Sequence, residues 1–264
     1  MLIPIGDDNS DRTTTPVITW TIIGINLAVF ILLQGLGMSR SGEVFTYGYS
    51  AVPYEITHNT DLKTPVPIND AGPGDELRPG RRQVQVIPQA PGPSPIWLTL
   101  FTAMFMHGGF AHIAGNMLYL WIFGDNIEDN FGHGKFLLFY LLCGLAASFS
   151  QIALDPDSKI PTLGASGAIA GVLGAYLIMF PKNRVRALLP LGFLWTTVEV
   201  PAIVVLGFWI VIQIFSQYTA TFQHASGGVA YMAHIGGFAT GLALSFLLRR
   251  RRPRKSDYYN GYYH

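Results

Sequence analysis

Leu163-Gly164-Ala165-Ser166-Gly167-Ala168-Ile169-Ala170-Gly171-Val172-Leu173-Gly174-Ala175-Tyr176-Leu177-Ile178-Met179-Phe180 runs without a single charged residue. Its length is close to the ~20 residues a helix needs to cross hydrocarbon. Gly167, Gly171 and Gly174 recur at i, i+4 and i+7, a smooth face that lets another helix approach closely. Ser166 stands between small residues near the start, where a helix N-terminus presents backbone N–H groups without intrahelical partners, a natural site for an oxyanion. Serine among small residues is also common in membrane helix packing, so this run alone does not make a nucleophile.

Outward from it, the chain repeats the pattern. Half of its 264 residues are hydrophobic (50%) and only 12% are charged. A soluble protein of this size carries about twice that charged fraction. The charges cluster between long uncharged stretches, which reads as a polytopic membrane protein. A net charge of +1 leaves no global field to attract nucleic acid. Cys143 is the sole cysteine, so no intrachain disulfide forms; it lies in an apolar run and reads as an inert buried thiol.

Six apolar segments result: Val17 to Leu36, a second within Trp97 to Phe123, Phe136 to Leu154, Leu163 to Phe180, about Val200 to Phe215, and about Gly227 to Leu248. Only helices or closed barrels cross a bilayer, because unpaired backbone groups cost several kcal/mol in lipid. Strand-like alternation is absent, so the expected fold is an all-α membrane protein, a bundle of six transmembrane helices. The first segment follows an acidic leader (Asp7, Asp8, Asp11) and exceeds a signal-peptide core, which predicts an uncleaved span.

With both termini in the cytoplasm, the inside set of cations is Arg12, Lys135, Lys182, Arg184, Arg186 and the run from Arg249 to Lys255. The outside set is Arg40, Lys63, Arg78, Arg81, Arg82 and Lys159, most of them deep in one long loop, where they count little. Arg249 to Arg252 is a strong stop at a face with anionic lipid. The expected organisation is an N-terminal segment 1–16, a membrane domain 17–248 with an external loop 37–96 that is proline-rich over 65–95, and a basic, then tyrosine-rich tail 249–264 (Tyr258, Tyr259, Tyr262, Tyr263). No internal repeat is found.

Polar residues inside spans are costly and by default mark function. Two further clusters join Ser166. Ala233-His234-Ile235-Gly236-Gly237 lies in the sixth segment, where Gly237 and Gly241 make a GxxxG face. If that face packs on the fourth segment, His234 reaches the Ser166 hydroxyl as general base. The plain alternative is a core histidine bonded to a backbone carbonyl. His107-Gly108-Gly109-Phe110-Ala111-His112-Ile113-Ala114-Gly115-Asn116 puts His112 and Asn116 at i, i+4 on one helix face. Two neutral donors there suit an oxyanion, or simple interhelical hydrogen bonding.

A histidine helix of the form H-x4-H-x3-N, a GxSG helix start and an AHxxG helix, in that order on six spans, resemble the rhomboid family. The resemblance covers about Trp97 to Leu248, and the first span fits a six-helix core. It implies a serine endopeptidase that cuts transmembrane proteins within the lipid bilayer, with Ser166 as nucleophile and His234 as base. His112 and Asn116, with the Ser166 N–H, match the oxyanion donors, and His107 a supporting histidine. Gly164, Gly167, Gly171, Gly237 and Gly241 are expected to give structural support, as small residues that let helices and a substrate backbone approach. Glu128 resembles a structural glutamate in the loop after the second span. No cofactor and no metal are implied, and oligomeric state and natural substrate stay open.

Two positions depart from the pattern. Many members carry Trp-Arg before the histidine helix, where this chain reads Trp97-Leu98-Thr99. Many also carry tyrosine one turn after the nucleophile, where this chain has Ala170. Something else must orient His234, and the sequence does not name it. No Asp or Glu lies within the fourth or sixth segment, so a Ser–His dyad is expected; Asp155, Asp157 and Glu199 are the nearest acids in sequence.

Rival readings fail on specific residues. A zinc protease needs His-Glu-x-x-His, which does not occur. An aspartyl protease needs two aspartates within spans. A haem protein using His107, His112, His133 or His234 leaves Ser166 unexplained. A catalytically dead rhomboid-like chaperone would lack the serine or the histidine, and both are present.

Overall fold

The computed structural model describes residues 3–69, 84–191, 194–223 and 229–249. Parts of the loop holding Arg78, Arg81 and Arg82, the first residues of the sixth segment, and the tail from Arg250 with its tyrosines lie outside the described residues.

Helices occupy all six apolar segments. They are α1 (Val17–Ala28, continued by a π turn Val29–Leu33), α5 (Phe110–Phe131), α6 (His133–Leu154), α7 (Ser166–Met179), α8 (Ala202–Gln223) and α9 (Tyr231–Leu248). Between α1 and α5 come α2 (Arg40–Tyr49), α3 (Pro53–His58), the hairpin β2 (Val66–Asn69) with β3 (Val84–Ile87), and α4 (Thr99–Thr102). Among the described residues α6, α8 and α9 are each long and apolar enough to cross a bilayer. The bent pair Ile96–Phe105 and Phe110–Phe131 counts as a fourth, and α1 and α7 are shorter apolar helices. The chain is a multi-pass membrane protein.

The apolar pattern placed the helices but misjudged their ends. The second segment is not one rod: it bends by 77° between Ile96–Phe105 and Phe110–Phe131, where Gly108-Gly109 cannot sustain a helix. Its second limb runs on to Phe131 because Asp125, Asn126, Glu128 and Asp129, all buried, find partners from the N-terminal segment. In the fifth segment α8 extends beyond Phe215 to Gln223, its threonines turned back on the helix, with Thr221 Oγ1 donating to Gln217 O.

The expectation that strands are absent is corrected. β1 (Ile3–Gly6), β4 (Arg184–Leu191) and β5 (Leu194–Pro201) form an antiparallel sheet in the order β1-β4-β5. The signal was a short alternation in which Val185 and Ala187 are buried while Arg184 and Arg186 are exposed, the period of a half-buried strand. So short an alternation does not stand out beside long apolar runs.

At the centre stands α7, buried from Gly167 through Tyr176 and packed against α5, α6, α8 and α9. An apolar helix buried all round belongs at the middle of a bundle. The glycine faces meet as their spacing predicts. A Cβ on Gly237 would stand 2.0 Å from Gly167 O, and one on Gly241 1.9 Å from Gly171 O. Gly171 also faces α6, where a Cβ would meet Cys143 Sγ at 2.5 Å. With 14 residues, α7 rises about 21 Å, short of the ~30 Å hydrocarbon layer.

The two ends of the bundle differ. At the Met179 end, Glu128 caps the N-terminus of α1: its carboxylate accepts from Ile18 N (2.8 Å), Thr19 N (2.7 Å) and Thr19 Oγ1 (2.7 Å). It lies in the last turn of α5, not in a loop after it. Pro16 precedes α1 and supplies no cap of its own, so the acid of another helix satisfies those N–H groups. Asp129 accepts from Thr13 and Thr14, and Asp125 pairs with Arg12. Asp7 accepts from Tyr176 Oη (2.6 Å) and Asn126 Nδ2 (2.8 Å), and burial pushes its carboxyl up to about 7. At the Ser166 end, Ala51 and Thr162 exchange backbone hydrogen bonds, so the α2–α3 segment is tied to the loop leading into α7.

Candidate active site

Ser166 is the first residue of α7, and no side chain caps the helix there. The N–H groups of its first turn have no intrahelical acceptor. Gly237, one turn beyond His234, presses α9 onto Gly167. This contact carries the histidine to the serine, and Ser166 Oγ lies 2.8 Å from His234 Nε2.

The other ring nitrogen is also engaged. His234 Nδ1 lies 2.8 Å from Gln213 Oε1 on α8. An amide oxygen accepts only, so Nδ1 carries the proton and Nε2 is left free to accept from Ser166. One turn earlier on α8, Trp209 lays its indole by the imidazole, with ring centroids 5.7 Å apart and planes 37° apart. Gln213 and Trp209 thus lie against the imidazole from α8, while Ala170 is buried within α7. Sequence reading missed Gln213; its signal was one amide within an apolar run. The acids near in sequence are elsewhere: Asp157 faces His58 at 3.7 Å, and Glu199 faces Arg184 at 3.7 Å.

His112 comes to the same place from α5. Gly164 has φ +130°, a backbone region that favours glycine. A Cβ there would sit 2.9 Å from His112 Cε1 and Nε2 and 3.6 Å from Ser166 Oγ. Glycine thus keeps open the space that His112 and Ser166 share. The ring is held from behind, since His112 Nδ1 accepts from Gly108 N at 3.2 Å, which places a proton on Nε2. Asn116, one turn on, is buried, and its Nδ2 has no hydrogen-bond partner among the described residues. A small cavity of about 40 Å³ adjoins Ser166, lined by Gly144, Ala147, Ser148, Gln151, Leu163 and Ala233 among others.

His107 does not line this space as a donor to Ser166. It precedes α5, is 1% exposed, and sets its ring edge-on to His112 with centroids 5.1 Å apart. Its main chain is clamped by Gln34 at the end of α1: His107 N donates to Gln34 Oε1, and Gln34 Nε2 donates to His107 O, both at 2.9 Å. This clamp, with Thr102 Oγ1 donating to Tyr49 O at 2.7 Å, braces the bend in a chain that lacks the Trp-Arg pair. His133 stands at the opposite end of α5, bonded to Glu128. Among the described residues no group of three or more His, Cys, Asp or Glu is placed to hold a metal ion.

Residues 95–251 match the Rhomboid domain family, a span that contains Ser166, His234, His112, Asn116 and Gln213, while Gln34 and Tyr49 precede it. The chain is 41% identical to Rhomboid protease GluP of Bacillus subtilis (strain 168) over 112 residues, which cover 42% of this chain and 21% of that protein. It is 34% identical to the mitochondrial RHOMBOID-like protein 6 of Arabidopsis thaliana over 152 residues, covering 56% and 43% of the two chains. RHOMBOID-like protein 5 of the same plant is 30% identical over 154 residues, covering 58% and 44%. This chain thus spans less than half the length of each of these relatives. With the family match extending over more than half of its residues, the chain belongs to the rhomboid family.

Proposed function

We propose that this chain is an intramembrane serine endopeptidase that hydrolyses peptide bonds in or near transmembrane segments of other membrane proteins. The observation that carries the reading is the Ser166 Oγ–His234 Nε2 hydrogen bond of 2.8 Å at the N-terminus of a buried helix. In acylation Ser166 Oγ attacks the scissile carbonyl carbon and gives its proton to His234 Nε2. The Oγ–C bond forms first and the carbonyl electron pair moves onto oxygen; collapse of this tetrahedral oxyanion then breaks the C–N bond as the imidazolium passes its proton to the departing amine. Water then attacks the acyl-enzyme with His234 again as base, releasing the acid and restoring the hydroxyl.

The developing oxyanion needs donors that are in place before it forms. Asn116 Nδ2, buried and without a partner among the described residues, is such a donor. An unpaired buried polar group costs roughly 1–3 kcal/mol, a cost that a transition-state oxygen would relieve. His112 Nε2 and the Ser166 N–H complete the set. A haem-ligand reading is disfavoured, because both ring nitrogens of His234 are occupied and His133 lies at the far end of α5.

The natural setting is the cell membrane, with both termini in the cytoplasm and the Ser166 end facing outward. Supporting this, Arg12, Lys182, Arg184 and Arg186 gather at the Met179 end with the sheet, as an excess of cations on the inner face requires. The resemblance to the rhomboid family implies substrates that are single-span proteins with small residues at the cut and a helix-destabilising stretch nearby. The test is cleavage of a model transmembrane substrate by wild type and by Ser166→Ala, with a fluorophosphonate probe in parallel. Cleavage and labelling by wild type alone support the reading, and equal labelling of both proteins refutes it.

A further inference from the structure

We propose that Gln213 is a positioning residue of the dyad, fixing the tautomer and orientation of His234 and making the base depend on the seating of α8. The inference rests on the reading of Ser166 and His234 as nucleophile and base.

Three observations carry it. Gln213 is 8% exposed in a helix whose other faces are largely open, and its Oε1 meets His234 Nδ1 at 2.8 Å. A buried amide on an apolar span is costly unless bonded, and here its bond is to the imidazole that is hydrogen-bonded to Ser166. Second, Trp209 and Gln213 stand at i, i+4 on one face of α8, so the wall beside the ring and the acceptor behind it come from the same helix face. Third, among the described residues the hydrogen-bond partner of Nδ1 is this amide and not a carboxylate, with Asp157 and Glu199 paired elsewhere. Within the membrane a neutral acceptor avoids the penalty of a buried anion while doing the first of two jobs a triad aspartate does, holding the ring and its tautomer. It lacks the negative charge for the second, stabilising imidazolium. The consequence is mechanical as well as chemical. Any displacement of α8 from α9 withdraws the acceptor and lets the imidazole rotate or change tautomer, while Ser166 and its helix stay in place.

The experiment compares full-length wild type, Gln213→Met, Gln213→Glu and Ser166→Ala in proteoliposomes. Methionine keeps the length and removes the acceptor; glutamate keeps an acceptor. The measurements are the fluorophosphonate labelling rate, kcat and KM for a transmembrane substrate, the melting temperature, and the tautomer of His234 by ¹⁵N-histidine NMR. Losing one buried acceptor predicts that Gln213→Met lowers labelling rate and kcat together by about 10–10²-fold. KM should stay within about two-fold, since ground-state binding is untouched, and the melting temperature should hold. The Nδ1–H tautomer expected in wild type should give way to a mixture, and Gln213→Glu should recover most of the labelling rate. Wild-type labelling and tautomer in Gln213→Met overturn the proposal, as does a fall in melting temperature with the labelling rate per folded molecule unchanged. Equal labelling of wild type and Ser166→Ala would instead sink the protease reading, leaving the tautomer measurement to decide the role of Gln213.

Discussion

Gly237→Ala tests whether helix contact sets the catalytic distance. The added Cβ would lie 2.0 Å from Gly167 O and 2.9 Å from Gly167 C. A carbon rests against a carbonyl oxygen at about 3.3 Å, so α9 must retreat from α7 by roughly 1.3 Å. The obstacle is backbone of a helix buried on every side, so neither partner can swing aside as a long side chain would. Gly237 lies one turn from His234 and Gly167 is bonded to Ser166, so most of this retreat is transmitted to the dyad. The Ser166 Oγ–His234 Nε2 distance of 2.8 Å would open to about 4 Å, beyond hydrogen-bond reach. A misplacement of ~1 Å at a reacting group costs about 10²-fold in rate, and overpacking of this kind costs about 1–3 kcal/mol of stability. The assay is kcat on a transmembrane substrate, the fluorophosphonate labelling rate, and thermal unfolding in the same detergent. Gly24→Ala is the control, since nothing lies within 4 Å of a Cβ there. A Gly237→Ala enzyme with kcat within a factor of about three of wild type would refute the reasoning.

His112→Ala and Asn116→Ala should each lower kcat by about 10²–10³ with little change in KM, as loss of one oxyanion donor does; near-normal turnover in both would reduce them to packing residues. Glu128→Gln should destabilise the fold by about 2–3 kcal/mol, because a fully buried carboxylate that accepts three hydrogen bonds at the α1 N-terminus loses its charge; thermal unfolding reads this, and an unchanged melting temperature contradicts the capping role. Asp7 sets a pH dependence whose sign follows from burial. Its folded-state pKa of about 7 lies above the ordinary 3.8, so the unfolded chain loses the proton first and stability falls as pH rises from ~4 to ~7. Asp7→Asn should flatten that slope and melt higher than wild type above pH 7, while the two converge near pH 4; parallel profiles would exclude Asp7 as the cause. A reporter active only in the cytoplasm should work when fused after His264 and fail when inserted near Gly74, and the reverse pattern overturns the orientation.

Much of this protein is legible in its amino-acid sequence. Six uncharged runs announce helices because lipid leaves the backbone no other partner, and the glycines of the fourth and sixth runs mark the faces that must meet. Ser166, His234, His112 and Asn116 stand out because each is a polar group at a place where polarity is costly. What periodicity cannot supply is the set of partners drawn from distant parts of the chain. Gln213 meets His234 across 21 residues, Gln34 clamps His107 across 73, and Glu128 caps α1 across 109. The sheet is hidden for a related reason, since β1 and β4 become a sheet only when the ends of α1 and α7 are brought together. A hydrophobic run declares its environment locally, through the solvent it avoids. A buried amide or carboxylate declares nothing until packing decides which donor or acceptor stands within about 3 Å of it.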